Sequence, residues 1–198
     1  HVRSRRQRQM CIRDSVTSYQ IPYTWYLIDS DWKSNNCFYV CSNTTPYDCS
    51  MINVPSGNYT QLQLITAVQE SFNNNGLSNL DISYNSTNGK TVILNNSSLN
   101  SYTIIFYDPT GRYSCNENCK TSQKFNTNLG WILGFRGNTT YNISESDLTY
   151  GQMIYDLSGN ETIISEGLID VFGSKYILLV LDDYQQNHLN KGLVGITP

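Results

Sequence analysis

The spacing of hydrophobic positions changes at one stretch, residues 51–72, around which the rest of the predicted fold is arranged. A short apolar run ends at Pro55-Ser56-Gly57, and apolar residues then recur at steps of three and four. This spacing places them on one face of an amphipathic helix over about 60–74. The predicted stripe comprises Leu62, Leu64, Ile65, Ala67, Val68 and Phe72. Such a helix must bury its apolar face, so we predict that it packs on a sheet.

Local signals mark both ends of this helix. Thr60 and Gln63 match a capping box, in which each side chain satisfies a free backbone N–H of the first turn. The run Asn73 to Gly76 ends the helix, because Asn and Gly tolerate the left-handed conformation of a C-terminal cap.

Elsewhere, short alternating or continuous apolar runs indicate strands. Asn88-Gly89, between Leu80–Tyr84 and Thr91–Leu94, is the strongest hairpin signal. Further strands are predicted at Tyr19–Ile28, Cys37–Val40, Met51–Val54, Tyr102–Tyr107, Tyr150–Leu157, Glu161–Val171 and Lys175–Leu181. The last of these is the most apolar run and is predicted to be a central, buried strand. Many short strands and one helix predict a mainly β fold, a jelly-roll-like β-sandwich with the helix on its sheet.

Composition agrees with a β-rich chain that has a polar surface. The sequence has 15 Tyr and 23 Asn, and only 15% of its residues are charged. No apolar run reaches the roughly 18 residues that a membrane span needs, so we predict no membrane span.

The positive charge is concentrated in residues 1–15. Five of the 13 basic residues lie there, and the remainder is acidic, so we predict no nucleic-acid partner. The tail has three interpretations: a basic arm, an Arg-Arg-Gln-Arg processing site, or foreign sequence. Its string RQRQMCIRDS resembles a translated sequencing-adapter artefact found in metagenomic reading frames. We predict that residues 1–15 are a non-native or disordered tail and that residues 16–198 are a single domain, truncated at its C-terminus.

Three short motifs together suggest a family. Val54, Pro55, Gly57 and Tyr59 precede the helix, Leu133-Gly134-Phe135 follows several strands, and Tyr176, Ile177, Asp182, Asp183 and Tyr184 come late in the chain. This order resembles that of structural proteins of nucleocytoplasmic large DNA viruses, in which an IPxGxY segment, an LGF motif and a late "YI-apolar-DD" strand recur. The resemblance covers roughly residues 20–195.

The resemblance implies a jelly-roll-type virion protein, such as a minor capsid or penton-like component. It implies a non-enzymatic role through packing against other capsid subunits, in a virion assembled in the host cytoplasm. The matching residues Pro55, Gly57, Tyr59, Leu133, Gly134, Phe135, Asp182 and Asp183 would then be structural. The alternative is a glycan- or receptor-binding module of a viral spike or fibre, using Tyr and Trp for stacking, and an enzyme is the third reading.

The sequence offers no catalytic signature and no cofactor motif. His188 is the only histidine outside the tail, and nothing around it matches a nucleophile arrangement. We therefore predict no catalytic residue and no cofactor.

The cysteines leave three readings open. Cys37 and Cys41 together with Cys115 and Cys119 have the spacing of four thiolate ligands for zinc. The alternatives are disulfides or free buried thiols. Because Cys115 and Cys119 lie in a polar segment, a local bridge between them is the preferred disulfide.

Eight Asn-x-Ser/Thr sequons occur along the chain. They would mark glycan-bearing loops in a secreted protein, but several are expected by chance in so Asn-rich a sequence. The sequons are Asn43, Asn58, Asn85, Asn95, Asn96, Asn138, Asn142 and Asn160.

Overall fold

A computed structural model describes residues 24–43, 48–115, 123–137 and 152–173, and the backbone of residues 177–179 and 194–196. These parts contain nine strands and two helices. In chain order they are β1 Cys37–Ser42, β2 Asp48–Asn53, α1 Gln61–Asn74, β3 Leu80–Asn85, β4 Lys90–Asn95, β5 Tyr102–Tyr107, α2 Leu129–Ile132, β6 Met153–Leu157, β7 Thr162–Ile164, β8 Ile177–Leu179 and β9 Val194–Ile196.

The strands form antiparallel sheets, which confirms the prediction of a mainly β chain. One sheet has the order β2-β1-β5-β6, and a second has the order β3-β4-β7. The backbone of β8 pairs with that of β9 in a separate two-stranded ladder. Two packed antiparallel sheets are consistent with a β-sandwich.

The hairpin predicted at Asn88-Gly89 is confirmed. Asn85 of β3 lies opposite Lys90 of β4, so four residues form the turn. Gly89 has a φ of +69°, a conformation that glycine adopts without steric cost. Along β3, Leu80 and Ile82 are buried while Asp81 and Ser83 are exposed, which is the alternation of a strand with one face in the core.

Helix α1 is also confirmed, including its capping box. The Gln63 N–H donates to the Thr60 hydroxyl, and the Thr60 N–H donates to the Gln63 side-chain oxygen. One member of the predicted stripe is wrong: the Leu62 side chain is 68% exposed. Leu62 lies two residues before the buried Leu64, which is roughly 200° around the helix, so it faces solvent.

Helix α1 covers the outer edges of both sheets on one side of the fold. The Gln69 side chain accepts from the Ile82 N–H at 2.8 Å and donates to the Leu80 carbonyl at 3.0 Å. The Ser71 hydroxyl accepts from the Asn53 N–H of β2 at 3.0 Å. Because a bare sheet edge pairs readily with another chain, these contacts protect β2 and β3 from association.

Aromatic side chains fill the centre of the core. The ring centroids of Phe38 and Phe106 lie 4.8 Å apart, and those of Phe106 and Phe135 lie 4.7 Å apart. Phe72 brings the helix into the same cluster through an edge contact with Phe38 at 6.1 Å. Tyr155 of β6 packs edge-on against Phe135 at 5.1 Å.

Several predicted strands differ from those observed. Within Thr24–Ile28, the described part of the strand predicted at Tyr19–Ile28, only Ile28 forms a β-bridge, and its partner is Gly57. The backbone groups of this segment bond to side chains and loops, so they do not form a strand ladder. The strand predicted at Glu161–Val171 is limited to β7, because Gly167 and Ile169 beyond it donate to the loop residues Gly134 and Gly89 instead of to a strand. The burial predicted for Lys175–Leu181 lies outside the described side chains.

The preferred cysteine bridge is wrong. Cys115 is bonded to Cys37, and Cys41 is bonded to Cys49, its direct neighbour across the β1–β2 ladder. Cys119 lies outside the described residues. The alternative of a zinc site at Cys37, Cys41, Cys115 and Cys119 also does not fit the structure, since three of its four thiols are in disulfides.

Candidate functional site

The segment Pro55–Thr60 forms a joint that ties the start of the described chain to helix α1. Gly57 exchanges two backbone hydrogen bonds with Ile28, at 2.9 and 3.1 Å. The Asn58 side chain accepts from the Leu27 N–H at 2.7 Å. The Tyr59 hydroxyl donates to the Pro55 carbonyl at 2.6 Å, and burial raises the pKa of Tyr59 above its ordinary value. These contacts within the chain give the motif residues Pro55, Gly57 and Tyr59 a fold-stabilising geometry.

The Leu133-Gly134-Phe135 motif forms a second joint, at one end of the core. Leu133 and Phe135 are fully buried, and the Leu133 carbonyl accepts from the buried Thr91 hydroxyl at 2.7 Å. Gly134 has a φ of +99°, and its carbonyl accepts from the Gly167 N–H at 2.8 Å. A Cβ on Gly134 would lie 2.5 Å from the Gly167 carbonyl oxygen.

Replacing Gly134 with Ala is expected to destabilise the domain by about 3 kcal/mol, because both the positive φ and the backbone clash penalise the methyl group. Gly76→Ala is the matched control. Gly76 also has a positive φ, but nothing lies within 4 Å of its added Cβ, so we expect a cost of about 1 kcal/mol. Urea denaturation of both variants measures the difference. Equal losses would show that the contact with Gly167 is not rigid.

A polar cluster next to this motif was not predicted from the sequence. The Tyr155 hydroxyl contacts the two Glu166 carboxylate oxygens at 2.8 and 2.9 Å and accepts from the Gly137 N–H at 2.9 Å. The Arg136 N–H donates to the same carboxylate at 2.9 Å, and its guanidinium lies 4.1 Å from the centre of the Trp131 ring. Burial lowers the pKa of Arg136, an effect opposed by the charge of Glu166. The cluster connects Arg136 and Gly137, which follow the Leu133-Gly134-Phe135 motif, to Glu166, which follows β7.

The buried Tyr155 is expected to lower the free energy of unfolding at alkaline pH. Burial and the hydrogen bond to Glu166 raise the pKa of Tyr155 well above its ordinary value. Since the folded state holds this proton more tightly than the unfolded state, the associated stability is present below about pH 10 and is lost as the pH rises further. We expect Tyr155→Phe to lose less stability than the wild type between about pH 9 and pH 11. Urea denaturation across this range tests it, and identical pH dependence would contradict the assignment.

Buried asparagines hold the loops in place. The Asn95 side chain donates to the carbonyls of Asn100 and Ser158, at 2.7 and 2.9 Å, and is fully buried. Asn128 caps α2 by accepting from the Trp131 N–H at 2.8 Å. Asn95 belongs to a sequon, but its amide nitrogen is occupied and inaccessible in the folded chain. A fraction of the Asn-rich composition is therefore structural.

A cleft of about 260 Å³ is a candidate for a small-ligand site. Its lining residues are Leu27, Lys33, Asn35, Asn126, Thr127, Trp131, Ile132, Asp170 and Gly173. Burial lowers the pKa of Lys33, against the opposing charge of Asp29. The Lys33 ammonium donates to the Tyr26 carbonyl at 2.5 Å. The cleft thus combines an indole with amide, hydroxyl, ammonium and carboxylate groups.

The outer edge of β7 pairs with no other described strand. Asn95 and Thr91 of β4 bond to residues 161 and 165 of the β7 chain, at 2.9 Å each. Because backbone groups alternate in direction along a strand, the N–H and C=O of Thr162 and Ile164 point away from β4. Neither residue has a hydrogen-bond partner on that side among the described residues.

Large apolar side chains are exposed on the same stretch of chain. The exposed fractions of Ile164, Leu168 and Phe172 are 56%, 61% and 70%. Single exposed apolar residues are ordinary, but three so close in sequence, the first of them in β7, make this stretch a candidate contact surface. We call Thr162 and Ile164, with the neighbouring Leu168 and Phe172, the β7 edge surface.

The predicted site residues thus fall into distinct regions. The structure brings Leu133 and Gly134 together with Thr91 and Gly167, and it places Pro55, Gly57 and Tyr59 in a separate joint. Asp182 and Asp183 lie outside the described residues, so their role stays a prediction. Among the residues the structure describes, no three His, Cys, Asp or Glu side chains are grouped to hold a metal.

Neither the cleft nor the β7 edge surface carried a sequence motif. The cleft joins residues from three distant segments, and an edge position depends on strand order, which the local pattern does not encode. Neither described helix is long and apolar enough to cross a membrane.

The comparisons with known proteins do not identify the chain. No family model matches it, and no significantly similar curated protein or solved structure was found. A functional proposal must therefore be based on the residues and their geometry.

Proposed function

We propose that this chain is a non-enzymatic structural protein of a large DNA virus, with a jelly-roll-like fold, that works by packing against other capsid subunits. The order of its PSGNY, LGF and late Asp-Asp motifs supports the proposed assignment to the structural proteins of these viruses. The two described joints support a structural role for the first two motifs, since their polar groups bond to the chain itself.

The observation that carries the proposal is the β7 edge surface. Helix α1 covers the edges of β2 and β3 through Ser71 and Gln69, whereas the edge of β7 keeps its hydrogen-bonding groups available within the described part of the chain. Exposed apolar side chains lie along the same stretch. Main-chain pairing at an edge together with apolar contacts is a common way for β proteins to assemble.

The disulfides agree with a protein that ends up in an oxidising environment, such as a particle released from the cell. In a particle assembled in the host cytoplasm, the cysteines would pair during or after assembly. The virion therefore stays the proposed location of the chain.

Incorporation into particles tests the proposal. We expect the tagged wild-type chain to sediment with virus particles in a density gradient, and Ile164→Lys to remain in the soluble fractions. Leu99→Lys is the matched control, because Leu99 is 89% exposed on a loop outside the β7 edge surface. A wild-type chain that never sediments with particles would contradict a structural role.

The cleft favours a second candidate, a glycan-binding module of a spike or fibre. Trp131 offers an apolar ring, and Asn126, Thr127 and Asp170 offer groups that can bond to sugar hydroxyls. A glycan array probed with the purified chain separates the two functions. Saturable binding that Thr127→Trp blocks would support this candidate, and no binding to any glycan would exclude it.

A further inference from the structure

We propose that the β7 edge surface pairs with the same surface of a second copy of this chain, in an antiparallel ladder centred on Ile163. This inference rests on the proposed function, because it names the partner at the surface through which the chain assembles. It joins two three-stranded sheets into one continuous sheet with the order β3-β4-β7-β7-β4-β3.

The backbone geometry fits a two-fold axis. With Ile163 opposite Ile163 of the second copy, Thr162 lies opposite Ile164, and the reverse holds on the other side of the axis. Thr162 and Ile164 are the two residues of β7 whose N–H and C=O point outward. Each opposed pair exchanges two hydrogen bonds, so every outward N–H group of the two strands finds a carbonyl.

The charges allow the same register. Centring the ladder on Ile163 places Glu161 opposite Ser165 of the second copy, and Glu166 opposite Asn160. No carboxylate faces another directly across the ladder, although this short segment carries two. Like charges directly opposed in a ladder are destabilising, so this register avoids that repulsion.

The side chains add apolar contact to the ladder. Ile164, exposed in the single chain, lies beside Thr162 of the second copy, and a β-branched pair of this kind favours strand pairing. Leu168 and Phe172, which follow on the chain, are also exposed. Because so short a ladder is smaller than a standard interface, we expect a reversible, concentration-dependent dimer.

Sedimentation velocity on the full-length chain over about a hundredfold range of concentration tests the pairing. We expect the wild-type mass to rise from one copy toward two, and Ile164→Lys and Thr162→Pro to remain monomeric throughout. The Thr162 N–H points away from β4, so proline there removes an outward donor without breaking the β4 ladder. Leu99→Lys is the control and should associate like the wild type.

The register has its own test. In the proposed ladder the two copies of Ile163 are a non-hydrogen-bonded pair, with Cα atoms about 4.5 Å apart. Ile163→Cys should therefore form a disulfide-linked dimer under mild oxidation, identified by mass spectrometry of the linked peptide, while Leu99→Cys should not.

Three results would overturn the self-pairing: a wild-type chain that is monomeric at every concentration, association that Ile164→Lys and Thr162→Pro leave unchanged, or no linked peptide from the oxidised Ile163→Cys variant. The particle-incorporation experiment tests the proposed function separately from the self-pairing. A monomeric chain that still sediments with particles, and loses this with Ile164→Lys, would assign the surface to a different subunit and leave the proposed function intact.

Discussion

Replacing Ile65 with Asp is expected to unfold the domain. Ile65 is 5% exposed on the face of α1 that packs on the sheets, and its neighbours in the described core are apolar. Burying a carboxylate there without a partner, while losing an apolar side chain, should cost about 4 kcal/mol or more. That is a large fraction of the total stability of an ordinary domain. Circular dichroism and urea denaturation measure the loss.

Leu62→Asp is the matched control on the same helix. Leu62 lies one turn before Ile65 but is 68% exposed, so we expect a change within about 0.5 kcal/mol. A folded, stable Ile65→Asp variant would show that α1 does not pack on the core as described.

Removing the disulfide between Cys37 and Cys115 is expected to have an effect of similar size. It links residues 78 apart in sequence, whereas the bridge between Cys41 and Cys49 links residues 8 apart. The restriction on the unfolded chain is worth about 4.5 kcal/mol for the longer loop and about 2.6 kcal/mol for the shorter one. The longer bridge also holds the segment before Cys115 against β1, where the Tyr39 hydroxyl donates to the Ser114 carbonyl at 3.0 Å.

Two double variants, Cys37→Ala/Cys115→Ala and Cys41→Ala/Cys49→Ala, compare the bridges directly. Urea denaturation should show the greater loss of unfolding free energy for the first. Equal stabilities for the two variants, or no loss for the first, would contradict the connectivity or its role.

Local signals predicted the elements that depend on neighbouring residues. The capping box at Thr60, the Asn88-Gly89 hairpin and the strand Tyr102–Tyr107 were all correct, because their determinants lie within a few residues of one another.

Non-local features were missed for physical reasons. The partner of Cys115 is 78 residues away, and the polar segment around Cys115 favoured a local bridge to Cys119 instead. Leu62 joined the predicted stripe because a step of three residues is compatible with the helical period, although the buried face is centred on the other side. The hydrogen bond between Tyr155 and Glu166 depends on the path of the chain after β7, which no local sequence pattern predicts.

The candidate surfaces show the same limit. The sequence of β7 is short and apolar, and it resembles a buried strand as much as an edge. Only the strand order shows that β7 is the last of the described strands in its sheet, and only the contacts of Gln69 show that the opposite edge is covered.

Hydrogen–deuterium exchange at single amides of β7, in the chain diluted until it is monomeric and in assembled particles, tests the central claim most directly. We expect rapid exchange at Thr162 and Ile164 in the monomer, because their N–H groups point outward, and slow exchange at Ile163, which bonds to β4. On assembly, Thr162 and Ile164 should become protected. Unchanged exchange at these two amides, with new protection confined to other parts of the chain, would contradict assembly through the β7 edge surface.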